Sequence, residues 1–211
     1  MITVAGCSIL RQSVIGIIVA TVYWLAVFSS LAILSDYITA LLESSVIIAS
    51  IYFGSKIVVR LTPRVLVNIG GFLIPLILSI EMIFRLRNVI IIYPLLVLVP
   101  LVINVLITYL SSYIVVGRGV IVRFLPPIIG VSSSIALMLS IYGLSIYYSI
   151  PLSIIVGYFS TLLGADILGY KGSSENLVFG GGGFYDALVV IPLFSPGITY
   201  GLSLLSFLVM R

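Results

Sequence analysis

Residues 13–34 read SVIGIIVATVYWLAVFSSLAIL, a run with no charged side chain. A helix needs about 20 apolar residues to cross the hydrocarbon core of a bilayer, and this run meets that length. It is too long for a removable signal peptide and lacks a convincing small-residue cleavage site. Six further apolar runs follow it. The seven expected spans are Ser13–Leu34, Ile38–Val59, Leu66–Phe84, Val89–Val116, Phe124–Tyr148, Pro151–Gly169 and Phe184–Met210. Pro94 and Pro100 predict a kink or a late start in the fourth run, and Pro192 and Pro196 predict a break in the last. A proline removes a donor and clashes with the preceding turn.

Composition agrees with this reading. The 211 residues are 62% hydrophobic and 8% charged, with a mean hydropathy of +1.38. Soluble domains are about 45–50% apolar and about 25% charged. The expectation is an all-α integral membrane protein, a polytopic bundle of about seven transmembrane helices. No soluble domain, internal repeat or low-complexity tail stands out, so residues 1–211 read as a single transmembrane domain. Short loops make successive helices antiparallel neighbours.

The basic residues orient the bundle. With a cytoplasmic N-terminus, Arg11, Lys56, Arg60, Arg64, Arg118, Arg123 and Lys171 fall inside, and Arg85, Arg87 and Arg211 fall outside. That bias predicts a cell-membrane protein with its N-terminus in the cytoplasm and its C-terminus outside. The net charge of +4 then reads as a topology signal and a modest attraction to anionic headgroups. No basic cluster stands clear of the membrane, so nucleic acid is not an expected partner.

Absences narrow the chemistry. The chain has no His and a single Cys, Cys7. Ser–His and Cys–His catalysis, HExxH zinc sites and intramolecular disulfides are excluded. Cys7 reads as structural or neutral. No dinucleotide fingerprint or Walker loop is present, and no cofactor or metal is expected. What remains for chemistry is carboxylates, hydroxyls and a few amides.

Six acids exist. Asp36 and Glu175 fall in expected loops. Glu81 stands four residues before Arg85, the spacing of an ion pair on one helix face. Glu43 lies inside the second span, either as a functional intramembrane acid or as a side chain that snorkels outward. Asp166 and Asp186 differ from these. The topology puts Asp166 near the end of the sixth span and Asp186 near the start of the seventh, both at the same cytoplasmic depth. An acid there is costly unless it faces protein or a water cavity. Two on neighbouring helices form a candidate carboxylate pair sharing one proton, one member acting as general base and the other as general acid. Gly157, Thr161 and Gly164 form a small-residue stripe that predicts a close crossing of the two helices.

A Gly-rich connector with Gly180, Gly181, Gly182 and Gly183 precedes Phe184, Tyr185 and Asp186. Glycines permit backbone conformations closed to other residues and let peptide groups approach a substrate closely. A mobile edge beside the acids could pair with an extended peptide. The same run could equally be a tight turn or a linker. Gly180–Gly183, Phe184 and Tyr185 are therefore candidate substrate-binding residues, with Asp166 and Asp186 as candidate catalytic residues.

Four blocks carry a resemblance: NIGGFLIPLILSI at 68–80, GRGVIVRFLPPIIG at 117–130, LLGADILGY at 162–170 and GGGGFYDALVV at 180–190. In this order they resemble a family of archaeal and bacterial multi-pass membrane proteins known as domain of unknown function 1614. The resemblance covers most of the chain after about Asn68 and implies the acid pair and the Gly-rich block, but no activity. A looser similarity is to presenilin, signal peptide peptidase and the prepilin peptidases, intramembrane aspartyl proteases with paired acids on successive helices. It implies that Asp166 is the first acid and Asp186 the second. In those enzymes the second Asp directly follows the glycine, whereas Phe184 and Tyr185 intervene here.

Three functions stay open: an intramembrane aspartyl hydrolase, a proton- or cation-coupled carrier, and a scaffold whose acids are held at helix ends. A carrier would use broken helices at Pro192 and Pro196. In a scaffold, the helix dipole would hold Asp186. The expected partners are the lipid bilayer and, for a hydrolase, a transmembrane peptide. The oligomeric state is left open.

Overall fold

A computed structural model describes residues 3–62, 65–115, 119–169 and 177–209. Seven α-helices occur among these residues: α1 Thr3–Leu34, α2 Tyr37–Gly54, α3 Ile74–Ile92, α4 Leu95–Ser111, α5 Leu125–Tyr142, α6 Ser149–Thr161 and α7 Ala187–Val209. Six helical segments are long and apolar enough to cross a membrane. The exception, α4, has 17 residues. At about 1.5 Å per residue it spans about 25 Å, somewhat less than the bilayer core. The fourth expected span was Val89–Val116, but the chain breaks at Tyr93 and Pro94, so Val89 belongs to α3. A residue before proline is pushed out of the helical region, and Tyr93 has φ −125° and ψ 65°.

The helical bundle is the expected one, and among the described residues five short strands add to it: β1 Val58–Thr62, β2 Val65–Asn68, β3 Ser112–Val115, β4 Gly119–Val122 and β5 Leu177–Phe179. They are runs of Val, Ile and other β-formers next to apolar spans, so their signal merges with that of the helices. β1 and β2 are antiparallel, with Val58 opposite Asn68, and β5 adds parallel to β2. β3 and β4 form a separate hairpin. The pairing of β2 with β5 brings the α2–α3 and α6–α7 connections to one end of the bundle, as antiparallel succession requires.

Lys56 and Arg60 lie in the α2–α3 connection, Arg60 within β1, and Arg123 follows β4 in the α4–α5 connection. Arg64, Arg118, Lys171 and Arg211 lie outside the described residues, as does Glu175. Arg85 and Arg87 stand within α3 and not in a loop, because α3 runs on to Ile92. Arg85 pairs with Glu43 on α2 at 3.0 Å, and its Nε donates to Glu81 at 2.9 Å. Glu43 thus finds a basic partner on the next helix, and the Glu81–Arg85 pair has the expected spacing. Asp36 caps α2 by accepting from the Thr39 N–H at 2.9 Å.

α7 runs unbroken through Pro192 and Pro196, contrary to the expected break. Its neighbour α6 makes room for Pro192. Gly157 of α6 faces Pro192 so closely that a Cβ there would lie 2.9 Å from the Pro192 Cα. The Ser132 hydroxyl of α5 donates to the Ser195 carbonyl. Buried polar contacts tie the helices elsewhere: Ser153 donates to Thr199 at 2.7 Å, and Asn104 donates to Ser134 at 2.9 Å. In an apolar solvent such bonds and close small-residue contacts drive helix association.

Candidate functional site

The site lies at the strand-bearing end, where α6 stops and α7 starts. Beyond Thr161 the chain continues as a π-helical turn, Leu162–Ile167, which carries Asp166. Such turns fit one extra residue into the helix and shift which side chains face a neighbour. Gly164 presses this turn on α4, where a Cβ would lie 2.5 Å from the Val105 carbonyl oxygen and 3.0 Å from the Thr108 Cβ. The small-residue stripe is therefore divided: Gly157 meets α7 and Gly164 meets α4. Asp166 Oδ2 is buried and has no hydrogen-bond partner among the described residues.

Asp186 is held by backbone. It sits immediately before α7 with extended φ and ψ of −67° and 151°. Its Oδ1 accepts from the Leu188 N–H at 2.9 Å, and its Oδ2 accepts from the Gly182 N–H at 2.8 Å. The first bond is an N-cap, which satisfies an otherwise free donor of the first helical turn. The second folds the glycine turn back on the acid. Asp166 thus follows α6 and Asp186 precedes α7, and these two helices pack on each other. Tyr158 donates to the Phe72 carbonyl at 3.2 Å.

The glycines divide by role. Gly180 and Gly183 have φ of +69° and +58°, a region that side chains strain to enter. Gly183 N–H donates to the Gly180 carbonyl at 2.8 Å, closing the turn. Gly180 packs on the backbone of Gly71 and Phe72, and Gly183 packs on Ser55. Gly181 and Gly182 are exposed, as is Tyr185. Phe184 is buried, its ring centroid 4.9 Å from that of Tyr23 and 5.9 Å from that of Tyr52. Of the six candidate substrate-binding residues, Gly181, Gly182 and Tyr185 present an open surface. Gly180, Gly183 and Phe184 hold the turn in place.

Sequence reasoning missed Asn68, Tyr158 and Tyr23. Asn68 is 2% exposed. Its Oδ1 accepts from the Gly71 N–H, and its Nδ2 donates to the Ser55 carbonyl, both at 2.7 Å. It fastens the end of α2 to the π-helical turn Ile69–Leu73, against which the glycine turn packs. The Asn before Ile-Gly-Gly was the available signal. Tyr158 carried none, since a Tyr in an apolar span reads as core. The Tyr23 hydroxyl points to the Phe184 carbonyl at 3.4 Å.

A cleft of about 540 Å³ lies between α1 and α7, toward the other end of the bundle, and neither aspartate lines it.

No curated protein and no solved structure matches the chain. The looser likeness to intramembrane aspartyl proteases accordingly gains no support from these comparisons. One family model does match, over residues 46–198, so the match begins upstream of the Asn68 block and takes in α3 to α6 and the first half of α7. The chain belongs to the family described as Protein of unknown function (DUF1614).

Proposed function

We propose that this membrane protein is an aspartyl hydrolase acting on extended peptide segments at the bilayer surface, with Asp166 and Asp186 as its acid pair. The observation that carries the reading is where the two acids stand in the chain: Asp166 in the turn that follows α6 and Asp186 immediately before α7, at the same end of two helices packed on each other. Asp186, which accepts from two backbone N–H groups, is assigned the ionised role in this scheme. Asp166, whose Oδ2 lacks a donor, then holds the shared proton. In this scheme Asp186 takes a proton from water as the water oxygen attacks the peptide carbonyl carbon. Asp166 gives its proton to the carbonyl oxygen. As the tetrahedral centre collapses, one of its hydroxyls returns its proton to Asp166 and re-forms the C=O, the C–N bond breaks, and the amine leaves with a proton from Asp186. Water and amide become acid and amine, with both carboxyls ready for another cycle.

The three-stranded sheet supports the peptide preference. Its order is β1-β2-β5, so β5 stands at one edge, one residue from the glycine turn. A strand added there would run past Gly181 and Gly182 toward the acids. In this reading the sheet end faces the cytoplasm, because the strand connections carry Lys56, Arg60 and Arg123.

A coupled carrier is the second reading. It is favoured by Asn104 and Thr108, fully buried one turn apart on α4. Asn104 Oδ1 and Thr108 Oγ1 each lack a partner among the described residues. Such oxygens suit a water, proton or cation route. Purified protein in liposomes, assayed in parallel for cleavage of membrane peptides and for proton or cation flux, separates the two.

A further inference from the structure

We infer that the cleft between α1 and α7 binds one acyl chain of a membrane lipid. Its volume of about 540 Å³ falls within the range of small-ligand sites, about 300–1,000 Å³. Its α1 wall runs from Val22 to Ile33, or about 16 Å at about 1.5 Å per residue. One leaflet of hydrocarbon is about 15 Å thick, half of the bilayer core. The cleft thus has the length of one lipid tail.

The ends of the cleft match the ends of a lipid tail. At its floor the Tyr23 and Phe194 rings meet edge to face at 5.6 Å, so α1 and α7 touch there and part above. At its mouth stand Tyr37 and Tyr147, 75% and 56% exposed. The Tyr147 ring lies 6.5 Å from that of Tyr200. Tyrosines of this kind sit at the headgroup level of a bilayer.

Gly197 keeps the α7 wall of the cleft open. It lines the cleft, and a Cβ placed on it would meet nothing within 4 Å. It therefore leaves the α7 backbone bare toward the cleft, where a side chain would take up part of the space a tail fills. None of the lining side chains is charged, so recognition falls on the tail and not on the headgroup.

Native mass spectrometry of the full chain, released from nanodiscs of mixed palmitoyl-oleoyl phosphatidylethanolamine and phosphatidylglycerol, tests this. One phospholipid per chain is expected, of either headgroup. Gly197→Trp and Ala32→Trp fill the cleft from opposite walls and should each reduce retention about tenfold, a change of about 1.4 kcal/mol in binding. Gly201→Leu is the control, since Gly201 has equal open space around it and lies outside the cleft. It should retain the lipid. Equal retention in all four proteins would overturn the inference. So would a lipid-free wild-type chain, or a dimer that Gly197→Trp abolishes in place of a lipid adduct.

Discussion

Gly71 and Gly180 meet backbone to backbone: a Cβ on Gly180 would lie 2.5 Å from the Gly71 carbonyl carbon. The contact joins two segments more than a hundred residues apart and sets the glycine turn against the start of α3. Gly180→Ala adds a methyl group in a tight contact and also strains a left-handed backbone, for an expected loss of about 1–3 kcal/mol. Gly181→Ala faces only the Val178 side chain at 3.2 Å and should cost less. Thermal unfolding of both variants in detergent measures the difference.

Asn68→Ala should be among the more damaging single changes. It leaves the buried Gly71 N–H and Ser55 carbonyl without their partner, at about 1–3 kcal/mol for each unsatisfied group. Asn68→Asp keeps the acceptor for Gly71 and loses the donor to Ser55, so its loss should be intermediate. The same unfolding measurement ranks the three proteins.

Much of this could be anticipated from the sequence, and the exceptions have physical causes. The apolar runs announce the helices because a bilayer demands long uncharged segments. Loop parity alone brings Asp166 and Asp186 to one end. The strands stay hidden because Val58–Thr62 and Ser112–Val115 continue apolar runs without a break in composition. The two π-helical turns have no periodic signature, and the one after Thr161 directs Gly164 to α4 while Gly157 faces α7. The prolines of α7 mislead in isolation, since the helix runs on through both and Gly157 on α6 makes room for Pro192.

The Arg85 pairs give a prediction for α2 and α3. Arg85→Met leaves Glu43 and Glu81 without their cation, for an expected loss of about 1–2 kcal/mol, discounted because the three side chains are partly exposed. Combining it with Glu43→Gln and Glu81→Gln should recover most of that loss. Chemical unfolding of the single and triple variants checks the recovery.

The α2 cap has a pH signature. The Thr39 N–H holds the Asp36 carboxyl below its ordinary value. A folded value below the unfolded one means that the cap's contribution is present above about pH 4. It is lost as pH falls through the folded value. Hydrogen exchange at the Thr39 amide should therefore quicken, relative to that of the α2 interior, on acidification below this range. Asp36→Asn should remove the pH response.

Asp166 and Asp186 should differ in stability and agree in function. Asp186→Asn turns an amide toward the Gly182 N–H or the Leu188 N–H and weakens the cap, at about 1–2 kcal/mol. Asp166→Asn removes no hydrogen bond seen among the described residues and should leave the unfolding midpoint nearly unchanged. The most direct test is cleavage of a membrane-anchored peptide by the purified protein in liposomes, with proton and cation flux followed in parallel. The account predicts cleavage with a bell-shaped pH profile. Cleavage should be abolished in the folded Asp166→Asn protein and blocked by a peptide mimic carrying a hydroxyl between the acids. Flux without cleavage, lost in both aspartate variants, would contradict it.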